Sequence, residues 1–472
     1  MNIRAALMNR WDVVRNSYWF LPGLMAAGAV LLSLGTLHAD ALLAGGGLGD
    51  AWWVYTGSAE GARSVLQTIA TSMIGVAGVV FSITTVTLTL AANKFGPRIF
   101  RNFMRDTGNQ VVLGTFTATF LFCLLILRQV RGSDNDHDQF IPQLSMLTAV
   151  ALAVFGLGVL IYFIHHVASS IQTANVVAAV GGDLLGQIRD LYPQQIGRGP
   201  ADGAAEEVGL AAQVPPRFDA EAVPVPAPAG GYLRRVEADD LVRVAAAHDL
   251  LVRVDRQPGD FVAAGDTVLR VWPPDRAAEA VCESLRQALV IGDQRTPAQD
   301  VRFPLGQLVE IACLALSSGV NDLFTAIMCV DRIGEGIAFL ARRAIPSAFR
   351  ADDSGRLRVV APRPDLPALL ATAFDPIRHN GRDQPLVPTR VLEALARVAA
   401  AARRSGDKDA VLAQAELARD QAIAAGAAGP DRLRLDEMFA EVRRAAAGAS
   451  PPRITPRAGG GASAGHRSNG PG

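Results

Sequence analysis

The chain has 472 residues, too many for one ordinary domain, so two or more structural units are expected. Half of its residues are hydrophobic, 19% are charged, and 45 basic side chains balance 45 acidic ones, which argues against an electrostatically driven nucleic-acid binder. Four cysteines exclude a disulfide scaffold, and a mean hydropathy of +0.23, high for a soluble enzyme and low for a many-helix transporter, suggests an average over two unlike halves.

Four long apolar runs come first: Tyr18 to Leu37, Val65 to Ala92, Val111 to Leu127 and Leu144 to Ile164. Each is near the roughly 20 residues a helix needs to cross a bilayer, and none carries a charge in its interior. The sequence therefore predicts an α-helical integral membrane protein. Its membrane domain spans 1–167, with helices near 18–37, 65–92, 111–127 and 144–164. Leu21 to Ala41 could be read as a cleaved signal peptide, but the long aromatic flank before it favours an anchor.

Arg4, Arg10 and Arg15 flank the first run, and Lys94, Arg98, Arg101 and Arg105 follow the second. The other two loops lean acidic, with Asp40, Asp50 and Glu60 in one and Asp134, Asp136 and Asp138 in the other. By the positive-inside rule both termini are expected to be cytoplasmic. Lys94, Arg98, Arg101 and Arg105 are also candidates for contact with anionic lipid. The Asp134–Asp138 cluster lacks the glycine and terminal glutamate of a calcium loop and reads as a solvated outer loop.

The second run carries the sharpest pattern. At about 100° per residue, Thr71, Gly75, Gly78, Ser82, Thr85, Thr89 and Asn93 share one helix face, and every member is small or polar. Such a seam lets helix backbones approach closely. Alternatively, its hydroxyls line a polar path in an oligomer. Both readings stand at this point. His165 and His166 are adjacent, so they cannot face the same way on a helix, and interfacial placement is expected over metal ligation.

Beyond the last run the residues lose transmembrane hydrophobicity. Residues 168–229 read as a helical extension, with a weak point at Gly181-Gly182, and a Pro/Ala-rich linker or extended wrap. A small β-rich module follows at 230–275, with strands at Tyr232–Val236 and Leu250–Val254 around a helix at Asp239–Ala247. Pro258–Val271 then supplies two turns around alternating apolar positions. Its Val-x-x-Gly-Asp-x-Val cadence resembles half of a biotinyl or lipoyl carrier barrel. No lysine stands between Lys94 and Lys408 to carry the cofactor, so a structural module remains.

Residues 276–447 read as a mainly helical cytoplasmic domain, giving an α+β soluble part, and 448–472 as a disordered tail. In the helical part, Leu305, Leu308, Val309, Ala312, Cys313 and Leu316 form one apolar stripe; Gly319 can end that helix, and Asn321 or Asp322 can cap the next. Arg356 to Ala361 adds a strand, with helices at Asp365–Arg378 and Leu386–Arg404. Walker loops, dinucleotide fingerprints, HExxH, nucleophile elbows and CxxC pairs are all missing from the sequence. We therefore expect no enzyme, no catalytic residue, no cofactor and no metal site.

Several separated blocks resemble the DUF2254 family of predicted bacterial membrane proteins. They are Thr68–Thr84, Phe95–Phe103, Gly108–Gly114, Tyr162–Ala168, Pro258-Gly-Asp-Phe261 and Ala315–Ala326. The resemblance implies an architecture and transfers no activity. Two functions of different class follow as expectations. One is an oligomeric channel- or transport-like protein, a homo-oligomer in the lipid bilayer with a cytoplasmic regulatory or assembly domain. The other is a membrane-anchored scaffold or sensor whose cytoplasmic domain binds a partner or ligand. Nucleic acid is expected in neither.

Overall fold

The computed structural model describes residues 18–43, 58–96, 106–131, 140–170, 172–192, 208–343 and 345–448. Four helices are long and apolar enough to cross a membrane: α1 (Phe20–Leu43), α2 (Ala59–Phe95), α3 (Thr107–Leu127) and α4 (Gln143–Ser170). They run several residues beyond the apolar stretches that mark them. At 37 residues α2 would be about 55 Å long, well over the ~30 Å hydrocarbon core, so it projects beyond a bilayer.

Helix α3 is the axle of the bundle and packs against each of the other three. Buried residues run along its whole length, from Asn109 and Val112 to Cys123 and Ile126. Gly114 explains how close α1 comes: a Cβ there would lie 2.5 Å from Met25 Sδ and 3.2 Å from the Pro22 Cα. Asp40, expected in a loop, lies in the last turns of α1 and is buried. Its carboxylate accepts the Leu144 and Ser145 amides at 2.7 and 3.0 Å and the Ser145 hydroxyl at 2.7 Å. It thereby satisfies the free N–H groups at the start of α4.

Helix α5 (Thr173–Leu191) runs unbroken through Gly181-Gly182, contrary to the expected weak point. Its buried stripe packs it firmly, and Gly181 leaves room for the Arg332 side chain, whose Cδ would lie 3.0 Å from an added Cβ. A short helix α6 (Phe218–Glu221) then leads into the sheet region.

That region holds β1 (Val223–Pro226), β2 (Gly231–Val236), α7 (Ala238–Ala247), β3 (Leu251–Val254), β4 (Phe261–Val262), β5 (Thr267–Trp272), α8 (Glu279–Arg286) and β6 (Leu289–Gly292). Two later strands, β7 (Phe349–Ala351) and β8 (Leu357–Val360), return to it. One sheet has the order β1-β5-β3-β8-β7, with β3 and β8 parallel, and the other has β4-β2-β6. Strand β1 comes from the Val223-Pro-Val-Pro run read as linker. Its prolines are tolerated because it is an edge strand. The carrier-barrel likeness does not extend to this five- and three-stranded arrangement.

The remaining helices are α9 (Arg302–Ala315), α10 (Leu323–Ala341), α11 (Leu366–Asn380), α12 (Leu386–Ala401), α13 (Ser405–Ala424) and α14 (Gly429–Ala446). Helix α9 ends at Ala315, before Gly319. Asn321 takes the left-handed conformation at φ 49°, and Asp322 caps α10 by accepting the Thr325 amide at 3.1 Å. The core of this helical body includes α5, and it also includes Ala91 and Phe95 from the last turns of α2. The long membrane helix therefore ends embedded in the body.

Candidate functional site

The structure brings all seven seam residues onto one stripe of α2, and every one of them is exposed. The buried stripe of α2 is a different one: Ala62, Leu66, Ala70, Ala77 and Val80 lie in the bundle core, and Ala91 in that of the body. The two stripes are offset by one residue, about 100° around the helix. A Cβ added at Gly75 or Gly78 would meet nothing within 4 Å, whereas Gly114 on α3 is the glycine at which helices in the bundle approach. Among the described residues, then, nothing packs on Gly75 or Gly78, and the whole seam is open. Its flanks are apolar and outward too, including Ile74, Val79, Phe81, Val86 and Leu90.

The seam hydroxyls are partly committed. Thr85 donates to the Phe81 carbonyl at 2.9 Å and Thr89 to the Thr85 carbonyl at 3.0 Å. Back-bonding of this kind satisfies the proton inside hydrocarbon and leaves only acceptor lone pairs outward.

At the lower end of the seam, Asn93 and Lys94 are exposed and Phe95 is fully buried. Gly96 ends α2 at φ 87°, with its amide donating to the Ala92 carbonyl at 3.0 Å. A Cβ on Gly96 would lie 2.6 Å from Glu310 Oε1 of α9, so the turn of chain and the acidic side chain occupy adjoining space. The Asp322 carboxyl is held below its usual range mainly by the Thr325 hydroxyl, with the Lys94 charge adding to the effect. The hairpin Ser317–Asp322 thus lies near the Lys94 end of α2. Arg98, Arg101 and Arg105, the other expected lipid contacts, fall outside the described residues, as do the Asp134–Asp138 loop and residues 449–472.

Sequence reasoning missed two polar constellations because their members are distant in the chain. His166 Nε2 lies 2.7 Å from Asp106 Oδ2, joining the end of α4 to the N-cap of α3, and Tyr162 stacks on the imidazole at 5.3 Å. Gly108 leaves the space, since a Cβ there would sit 2.7 Å from His166 Nε2. His165 points elsewhere and is exposed. Among the described residues no group of His, Cys, Asp and Glu side chains could hold a metal ion.

The second constellation centres on Asp300, whose side chain is fully buried. It accepts Arg295 Nε at 2.6 Å and the Arg302 amide at 3.0 Å. Arg302 in turn donates to Asp260 at 2.8 Å and to the Pro258 carbonyl at 2.9 Å. The Pro258-Gly-Asp-Phe261 block is therefore a clamp between the sheet region and the start of α9.

Comparison with known proteins agrees with this architecture. Residues 15–397 match the family described as "Predicted membrane protein (DUF2254)". The chain is 35% identical over 412 residues to the uncharacterized protein Rv1290c of Mycobacterium tuberculosis (strain ATCC 25618 / H37Rv), covering 84% of this chain and 74% of that one. The uncharacterized protein Mb1321c of Mycobacterium bovis matches with the same identity and coverage. No solved structure matches the chain.

Proposed function

Since the chain belongs to the DUF2254 family of predicted membrane proteins, we propose that it assembles with further copies of itself in the bilayer through the outward seam of α2. The assembly is channel- or transport-like, and the body into which α2 plugs regulates it. One observation carries this reading: all seven small or polar seam residues are exposed, and from Ile74 onward large apolar side chains (Ile74, Val79, Phe81, Val86 and Leu90) flank them on the outward face. A strip of Gly, Ser and Thr facing lipid forgoes the close backbone packing that such residues allow, and a second copy would supply it. The positive-inside rule, applied to Lys94 and the arginines that follow it, puts the body on the cytoplasmic side of a bacterial inner membrane.

Because Ala91 and Phe95 lie in the core of the body, a displacement there is transmitted along α2 to the seam. The hydroxyl commitments of Thr85 and Thr89 favour a second reading, in which the seam only packs helices and the body serves as a membrane-anchored scaffold or sensor.

Full-length protein in lipid nanodiscs separates the two. We expect an oligomer whose copies crosslink through Ser82→Cys, and ion flux into liposomes that stops when Ser82 or Thr85 becomes Leu. A monomer in lipid overturns the assembly. An oligomer with no flux, or with flux unchanged by both substitutions, leaves the scaffold.

A further inference from the structure

Where the end of α5, the sheet and the start of α9 meet, the body has a partly open cavity of about 100 Å³. Its wall includes Arg350 from β7 and Arg363 from the segment after β8, with Arg256 from the β3–β4 loop beside them. Neither Arg350 nor Arg363 pairs with a carboxylate among the described residues. Arg350 donates to the Ser347 carbonyl and, at 2.9 Å, to the Phe349 carbonyl. Arg363 donates to the Leu191 carbonyl at 3.1 Å. Arg256 is only loosely held, 3.6 Å from Asp266 at a half-exposed position.

The acidic groups nearby are already engaged. Asp300 also lines the cavity, but its oxygens hold Arg295 and the Arg302 amide. Asp365 caps α11 by accepting the Ala368 amide at 3.0 Å. Two cationic side chains therefore share a half-buried pocket, and neither has a carboxylate paired to it among the described residues. Burial, and the charge of Arg363, push the Arg350 guanidinium below its ordinary range. Like charges brought together out of water are unfavourable unless an anion joins them.

We propose that this cavity is a binding site for a compact phosphate-type oxyanion, held by the guanidinium groups of Arg350 and Arg363 with Arg256 at its rim. Guanidinium forks match the oxygens of a tetrahedral oxyanion, and a dianion neutralises two unpaired cations where a monoanion cannot. The volume decides the class further. Pockets for drug-sized ligands run to roughly 300–1,000 Å³, so this one takes inorganic phosphate or the phosphate end of a larger molecule. It lies at the Leu191–Tyr192 end of α5, about 28 Å along the helix from the end that follows α4, so we take the phosphate to be soluble rather than a lipid headgroup.

The test uses the full chain in nanodiscs of neutral lipid at constant ionic strength. Equilibrium dialysis with inorganic phosphate is expected to show one saturable site per chain, with the thermal midpoint rising in step and acetate giving no shift. Arg350→Gln and Arg363→Gln should each weaken phosphate binding roughly tenfold or more. Arg350→Gln should at the same time keep or raise the midpoint without phosphate, because it removes an uncompensated charge. If that variant fails to fold, Arg363→Gln and Arg350→Lys carry the comparison. Absence of saturable phosphate binding, binding unchanged in the folded Gln variants, an equal response to acetate, or a response only to phosphatidic acid vesicles would each overturn the proposal.

Discussion

Gly259 and Asp300 occupy space that only one side chain can fill. Gly259 has φ 95°, and a Cβ on it would lie 2.2 Å from Asp300 Oδ2. The buried carboxylate reaches Arg295 and the Arg302 amide through the gap left by the glycine. The Gly259 amide also donates to the Leu233 carbonyl at 2.7 Å, which fixes the loop to β2.

Gly259→Ala should therefore destabilise the body by about 2–4 kcal/mol. Left-handed strain for a non-glycine residue contributes about 1–3 kcal/mol, and displacement of a buried, paired carboxylate adds to it. Denaturant unfolding followed by intrinsic fluorescence reads the effect. A change under about 0.5 kcal/mol, typical of an inert surface site, would show that Asp300 moves aside freely.

The acid limb of the stability curve should respond to Asp249. Hydrogen bonds from Arg358 and Arg276 hold its carboxyl well below the usual range, at about 2. A carboxylate depressed on folding stabilises the native state above the unfolded pKa of about 4, and that stabilisation disappears as pH falls through about 2. Asp249→Asn should thus lower the thermal midpoint at pH 6, and the gap to the parent protein should close between about pH 4 and pH 2. A gap that stays constant across that window would remove the carboxylate charge as its cause.

In the bundle, Asp40→Ala removes the three bonds that cap α4. Loss of a capping side chain costs about 0.5–2 kcal/mol in water, and the burial of Asp40 and Ser145 places this site at the upper end. Thermal unfolding in a mild detergent should register the loss, with Asp40→Asn retaining part of the stability through its carbonyl oxygen.

Neighbouring positions on α2 should answer differently to the same enlargement. Ala77 is 3% exposed against the bundle, so Ala77→Leu overpacks it and costs about 1–3 kcal/mol. Gly78 is open, so Gly78→Leu should leave the isolated chain folded and instead weaken association between copies in lipid. Comparing unfolding in detergent with size distribution in nanodiscs checks both. Equal destabilisation of the two variants in detergent would contradict the orientation of α2.

Much of the architecture was legible in the sequence because it rests on local patterns. Apolar run length announced the four long helices, and alternation announced β2, β3 and β5. The capping role of Asp322 was one of two alternatives, and backbone geometry chose between them: Asn321 accepts the left-handed turn, leaving Asp322 to cap. Strand β1 was hidden because prolines normally argue against a strand, a signal that fails at a sheet edge.

The sequence by itself determined that α2 carries a stripe of small and polar residues, since helical periodicity is a property of the chain alone. Only the tertiary structure decided that this stripe faces outward, because Ala62, Ala70 and Ala77 form a second small-residue stripe that competes for the same neighbours. The Asp300 clamp and the Arg350–Arg363 cavity were likewise decided in three dimensions. Their members lie on elements far apart in sequence, and charge or burial at such a point is set by which elements the packed core brings together.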